Sequence, residues 1–89
     1  SLFPYTKSLE VLDKWTTVSL GNGQKRITLT SPVISASRNV LFLVSGSSKK
    51  QALKRLLDPD ESSERTPAKL IKPSSKISVL VDEDAAVLI

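Results

Sequence analysis

The run Val40-Leu41-Phe42-Leu43-Val44 constrains this chain more than any other stretch. Five consecutive apolar residues without polar alternation predict a strand covered on both faces, as in parallel α/β sheets. Ser45-Gly46-Ser47-Ser48 comes next, followed by a helical pattern ending near Leu57. Gly46 permits a tight turn, and with Ser48 as N-cap, Gln51 falls where it completes a capping box. Lys49 and Lys50 then occupy the first helical turn, where the helix dipole and unpaired N–H groups favour acids over lysines. Two readings account for them. An anion sits over the turn, held by backbone N–H groups and an ammonium together. Alternatively, both side chains point into solvent at a cost of roughly a few tenths of a kcal/mol.

Composition narrows the chemistry. With 89 residues, the chain is one segment, 1–89, and a chain of this size buries only about 60–65% of its unfolded surface. It has no cysteine, so neither disulfides nor thiolate metal sites can brace it, and no histidine, the commonest general base and zinc ligand. The net charge of +4 comes from lysines spread along the chain. Single-stranded nucleic-acid binders interleave basic residues with stacking aromatics. The aromatics here are Phe3, Tyr5, Trp15 and Phe42, the last inside the apolar run, so nucleic acid is not expected as a partner. No apolar stretch approaches a membrane span and no signal peptide opens the chain, so the expectation is a soluble cytoplasmic protein without a membrane partner.

Around the organising strand, Ser8–Lys14 predicts a turn or two of helix and Trp15–Leu20 a strand. Gly21-Asn22-Gly23 is the strongest turn signal. Ile27–Thr30 alternates as a strand. Ser31-Pro32 reads as N-cap and first helical position of a helix Pro32–Arg38, with Val33, Ile34 and Ala36 inward. The helix after Gly46 puts Ala52, Leu53, Leu56 and Leu57 on one face and leaves Lys54 and Arg55 solvated. Asp58–Thr66 reads as a surface loop, Pro67–Ile71 as a helical turn, and Ile77–Val81 as a strand. Asp82-Glu83-Asp84 opens a final helix, Glu83–Ile89, where acids act as caps rather than metal ligands. Strands alternating with helices predict an α/β fold with at least partly parallel strands.

SLFP at the start, RITLTSPVISASRNVLFLVSGSSK in the middle and DEDAA near the end together resemble the 6-phosphogluconolactonases. These share a superfamily with the glucosamine-6-phosphate deaminases. The resemblance implies part of a three-layer α/β/α sandwich with a mostly parallel sheet. It also implies a phosphosugar lactone as ligand and hydrolysis without metal or organic cofactor. In that family an arginine leading into the TLT strand and the lysine of Gly-x-x-Lys hold the substrate phosphate. The matching positions are Arg26 and Lys49, with Gly46 allowing the turn. Arg26 by itself would read as an ordinary exposed charge, Lys50 does not match the motif lysine, and Arg38 is expected to serve the end of its helix.

The family's catalytic histidine stands in a Gly-x-Asp-Gly-His-Thr-Ala motif before SLFP, and this chain has no histidine. The resemblance therefore implies the C-terminal part of such an enzyme, inactive by itself, with no catalytic residue assigned and the missing N-terminal part as partner. Other readings are part of a glucosamine-6-phosphate deaminase and a non-catalytic phosphosugar-binding module of this natural length. Val40–Val44 wants cover on both faces, yet few helices are available and a sheet edge lies open. The isolated chain is accordingly expected to be marginal, self-associating or dependent on a further segment.

Overall fold

The computed structural model describes all 89 residues. Strands β1 (Thr16–Gly21) and β2 (Gln24–Leu29) pair antiparallel, with Gly21 opposite Gln24. Asn22 and Gly23 form the two-residue loop, with φ of 51° and 70°. Both central residues at positive φ give the turn whose twist matches paired strands, and Asn-Gly is the dipeptide that tolerates it. Strands β3 (Asn39–Val44) and β4 (Lys76–Val81) pair parallel, with Val40, Phe42 and Val44 opposite Ile77, Val79 and Val81. A parallel pair needs a long crossover. It is supplied here by helix α2 (Lys50–Leu57), a polar loop and a 3₁₀ turn at Pro67–Leu70.

The expected helix after Ser31 is shorter than its pattern, since α1 spans Ser31–Ser35 and Ala36 and Arg38 are exposed. Ser31 is not its N-cap. Thr30 holds that position without capping, because its hydroxyl donates to the Lys14 carbonyl at 2.6 Å and its N–H to Trp15 at 2.9 Å. These bonds tie the end of the hairpin to its beginning. Arg38 lies beyond the helix end, where its carbonyl accepts the N–H groups of Ser75 and Lys76 at 3.1 Å and aligns β4 with β3. The segment Ser8–Lys14 forms only a 3₁₀ turn, Lys7–Glu10, and the final helix is likewise a 3₁₀ turn, Ala85–Leu88.

The core is small. Leu53 of α2 is 1% exposed and Ala85 of the last turn is fully buried, and these two elements pack together. On the same side, α2 lies over the face of β3 that carries Phe42, with Leu56 and Phe42 lining one cleft. Ala52 and Leu57, expected inward, are exposed. Arg55 is not simply solvated, since its guanidinium stands 3.6 Å from the largely buried Glu61 carboxylate. The Lys69 ammonium donates to the carbonyls of Leu56 (3.2 Å) and Asp58 (2.7 Å), a cation at the helix C-terminus where the dipole favours it.

The opposite face of the parallel pair is bare. Leu41, Leu43 and Leu80 point there, with Leu43 72% exposed. The apolar run thus has cover on one face, not two. The hairpin inverts the usual arrangement. Its outward face carries Val18, Leu20, Ile27 and Leu29, with Ile27 81% exposed, while the hydroxyls of Ser19 and Thr28 are buried. Ser8 bonds Ser19 at 3.1 Å, and the Phe3 ring lies where a side chain at Gly21 would project. The N-terminal segment therefore covers the hydroxyl-bearing face.

Candidate phosphate-binding site

The Gly46 turn begins where β3 ends. In open α/β sheets, ligands bind beyond the carboxyl ends of parallel strands, and this turn stands there. Gly46 has φ of 91°, a conformation that disfavours any side chain. Ser47–Lys49 then form a single 3₁₀ turn, and α2 starts at Lys50. The expected capping box at Ser48 and Gln51 is absent, because the first turn is wound more tightly and Lys49 takes the N-cap position without a side-chain cap.

The backbone amides nearest the glycine are already engaged. Lys49 N–H donates to the Gly46 carbonyl at 3.1 Å, and Gly46 N–H donates to both Asp82 carboxylate oxygens at 3.0 and 3.2 Å. Neither amide is left to hold an anion, so the expectation of backbone N–H groups at the ligand does not extend to these two. The exposed Lys49 ammonium, by contrast, has neither a carboxylate nor a hydrogen-bond acceptor from the chain. Lys49 also lines a cleft of about 310 Å³ with Phe42, Val44, Ser45, Leu53 and Thr66. Lys50 opens α2 and does not line that cleft.

Arg26 stands elsewhere, on the hairpin opposite Ser19. Its guanidinium Nε and one terminal nitrogen both donate to the Gln24 side-chain oxygen, the Nε bond at 3.0 Å. A neutral amide fixes the fork without cancelling its charge. The structure does not bring Arg26 into the cleft that Lys49 lines. Arg26 lies in the β1–β2 sheet, whereas Lys49 lies in the turn that follows β3 of the other sheet.

Of the acids after β4, Asp82 accepts the Ala85 N–H at 2.9 Å at the start of the last turn, whereas Asp84, at the N-cap position, makes no side-chain cap bond. Sequence reasoning missed that the Asp82 carboxylate also reaches Gly46. A signal was available: parallel pairing with Val44 opposite Val81 sets Asp82 beside Ser45. No helix is long and apolar enough to cross a membrane.

Comparison with known proteins decides the family. Residues 1–80 match the family model described as glucosamine-6-phosphate isomerases/6-phosphogluconolactonase. The chain belongs to this family. It is 41% identical over 85 residues to the 6-phosphogluconolactonase of Synechocystis sp., which covers 96% of the chain and 35% of that relative. The human 6-phosphogluconolactonase is 41% identical over 66 residues, 73% of the chain and 25% of the relative. Among solved structures, the devB protein superposes over 100% of the chain and 38% of its own length, with a TM-score of 0.81 and 28% identity. A 6-phosphogluconolactonase from Leishmania guyanensis has a TM-score of 0.78 at 20% identity, over 96% of the chain and 34% of its own, which bears on the fold alone. The fold is thus the α/β fold of the lactonases, of which these residues form one portion. The chain spans about a third of the length of the relatives it matches.

Proposed function

We propose that these 89 residues work as part of a 6-phosphogluconolactonase, which hydrolyses 6-phosphoglucono-δ-lactone to 6-phosphogluconate in the cytoplasm, within the pentose phosphate pathway. Arg26 and Lys49 hold the substrate phosphate, and Gly46 shapes the turn that presents Lys49. The observation that carries this reading is the unpaired Lys49 ammonium beyond the carboxyl end of β3, in a chain whose named relatives are lactonases. That naming favours a lactonase over a deaminase. Arginine grips two phosphate oxygens at once, whereas lysine acts as a point charge.

In the reaction, a general base takes a proton from water as its oxygen bonds to the lactone carbonyl carbon. The ring C–O bond then breaks, and its oxygen leaves with a proton as the sugar hydroxyl. Clamping the phosphate holds the carbonyl against that water. The base belongs to a longer polypeptide, whose further helices cover the bare face of Leu41, Leu43 and Leu80. Relatives about three times as long, and that uncovered face, support this part of the reading.

The test is hydrolysis of the lactone by the protein at its natural length, followed as acid release. Lys49→Ala and Arg26→Ala are each expected to raise KM by about tenfold or more, the value of a charge-assisted hydrogen bond to phosphate. Phosphate binding without lactone turnover would leave a binding module instead. Turnover of glucosamine 6-phosphate in place of the lactone would make it a deaminase.

A further inference from the structure

We propose that Asp82 is a positioning residue of the phosphate site, holding the Gly46 turn so that the Lys49 ammonium faces the ligand; this rests on the phosphate reading above. Asp82 follows β4 and is 36 residues from Gly46 in sequence. Its Oδ1 accepts the N–H groups of Ala85 (2.9 Å) and Gly46 (3.2 Å), and its Oδ2 accepts Gly46 at 3.0 Å. Its own N–H donates to the Val44 carbonyl at 3.3 Å, so backbone and side chain grip the end of β3 together.

Gly46 would otherwise be a pivot. It has no side chain, and nothing lies within 4 Å of where one would project. With Asp82 on its N–H and the Lys49 N–H on its carbonyl, both sides of the residue are held. The carboxylate is engaged by backbone amides and makes no ion pair with Lys49. An acid paired to that ammonium would compete with phosphate. Here the negative charge instead orders the turn and leaves the cation unpaired.

The sign of one substitution separates positioning from simple electrostatics. Through space, a carboxylate near the site repels phosphate, so removing its charge alone would tighten binding. If Asp82 positions the turn, removing it weakens binding. The experiment measures Kd for inorganic phosphate and the KM and kcat of lactone hydrolysis, on the protein at its natural length. Asp82→Ala is expected to raise the phosphate Kd and KM by about fivefold, with kcat changed less than about twofold. Asp82→Asn, which keeps one acceptor, is expected to raise the phosphate Kd above that of the unaltered protein by less than Asp82→Ala does, and its rise over the unaltered protein is the deciding readout where the alanine variant fails to fold. Asp84→Asn removes the same charge two residues on without touching Gly46, and should leave Kd unchanged. Unchanged or tighter phosphate binding in Asp82→Asn would overturn the role while the Lys49 site stood. Should Lys49→Ala leave the phosphate Kd unaltered, the site reading itself fails, and Asp82 then has no ligand to serve.

Discussion

The β1–β2 hairpin and the β3–α2–β4 unit each contribute two strands and one candidate cation, yet they are held by opposite means. The hairpin is local: a two-residue turn sets its register, and its buried face is a row of small hydroxyls under the N-terminal segment. The parallel unit is non-local. Thirty-one residues, 45–75, separate its strands, and a helix, a 3₁₀ turn and the Asp82 carboxylate join them. A turn motif can set strand pairing without a hydrophobic core, whereas a parallel pair depends on what packs over it. Both units still leave an apolar face bare.

The largest effect expected from breaking this comparison concerns the bare face of the parallel unit. Leu43→Lys in the isolated chain should change stability by less than about 0.5 kcal/mol, as at other exposed sites, and reduce self-association measured by sedimentation. In the longer polypeptide proposed above the same change should cost about 3 kcal/mol or more, because it would bury an unpaired charge. Equal small effects in both would mean that nothing covers this face. Next in size is Gly21→Val on the hairpin. Its Cβ would fall 2.3 Å from Phe3 Cγ, and overpacking of this kind costs about 2 kcal/mol in chemical denaturation. Truncating Phe3 in the same molecule should recover part of the loss.

The smallest expected difference is the sharpest one. Gly23→Ala and Gly46→Ala each place a side chain at positive φ with open space around it. From backbone strain alone Gly23→Ala should cost about 1 kcal/mol and Gly46→Ala about 2 kcal/mol, since its φ of 91° and ψ of 151° lie in a region almost only glycine occupies. Only Gly46→Ala should also weaken phosphate binding. A matching loss in Gly23→Ala would show that the hairpin tip, not the parallel unit, governs the site.

Much of the local structure was legible in the residues. Gly21-Asn22-Gly23 announces its turn, because few residues other than glycine and asparagine accept positive φ. Val40–Val44 reads as a strand needing neighbours, and Ile77–Val81 supplies one. Helix lengths were less legible. Thr30 spends its hydroxyl on Lys14 instead of a cap, and the Ser48 capping box gives way to a 3₁₀ turn. Both depend on partners distant in sequence or on local winding that a spacing rule does not contain.

By itself the sequence determined the turn positions, the strand-forming runs, the absence of histidine and cysteine, and the Arg26, Gly46 and Lys49 pattern that points to the lactonase family. These follow from residue type and near-neighbour spacing. Tertiary structure decided which strand faces are covered, that Arg26 lies on the hairpin while Lys49 lies in the turn after β3, and that Asp82 grips Gly46. The physical reason is that inward and outward, or paired and free, are relations between segments. A leucine in an alternating strand carries the same hydrophobicity on either face, and only the element packed against it makes one face the core.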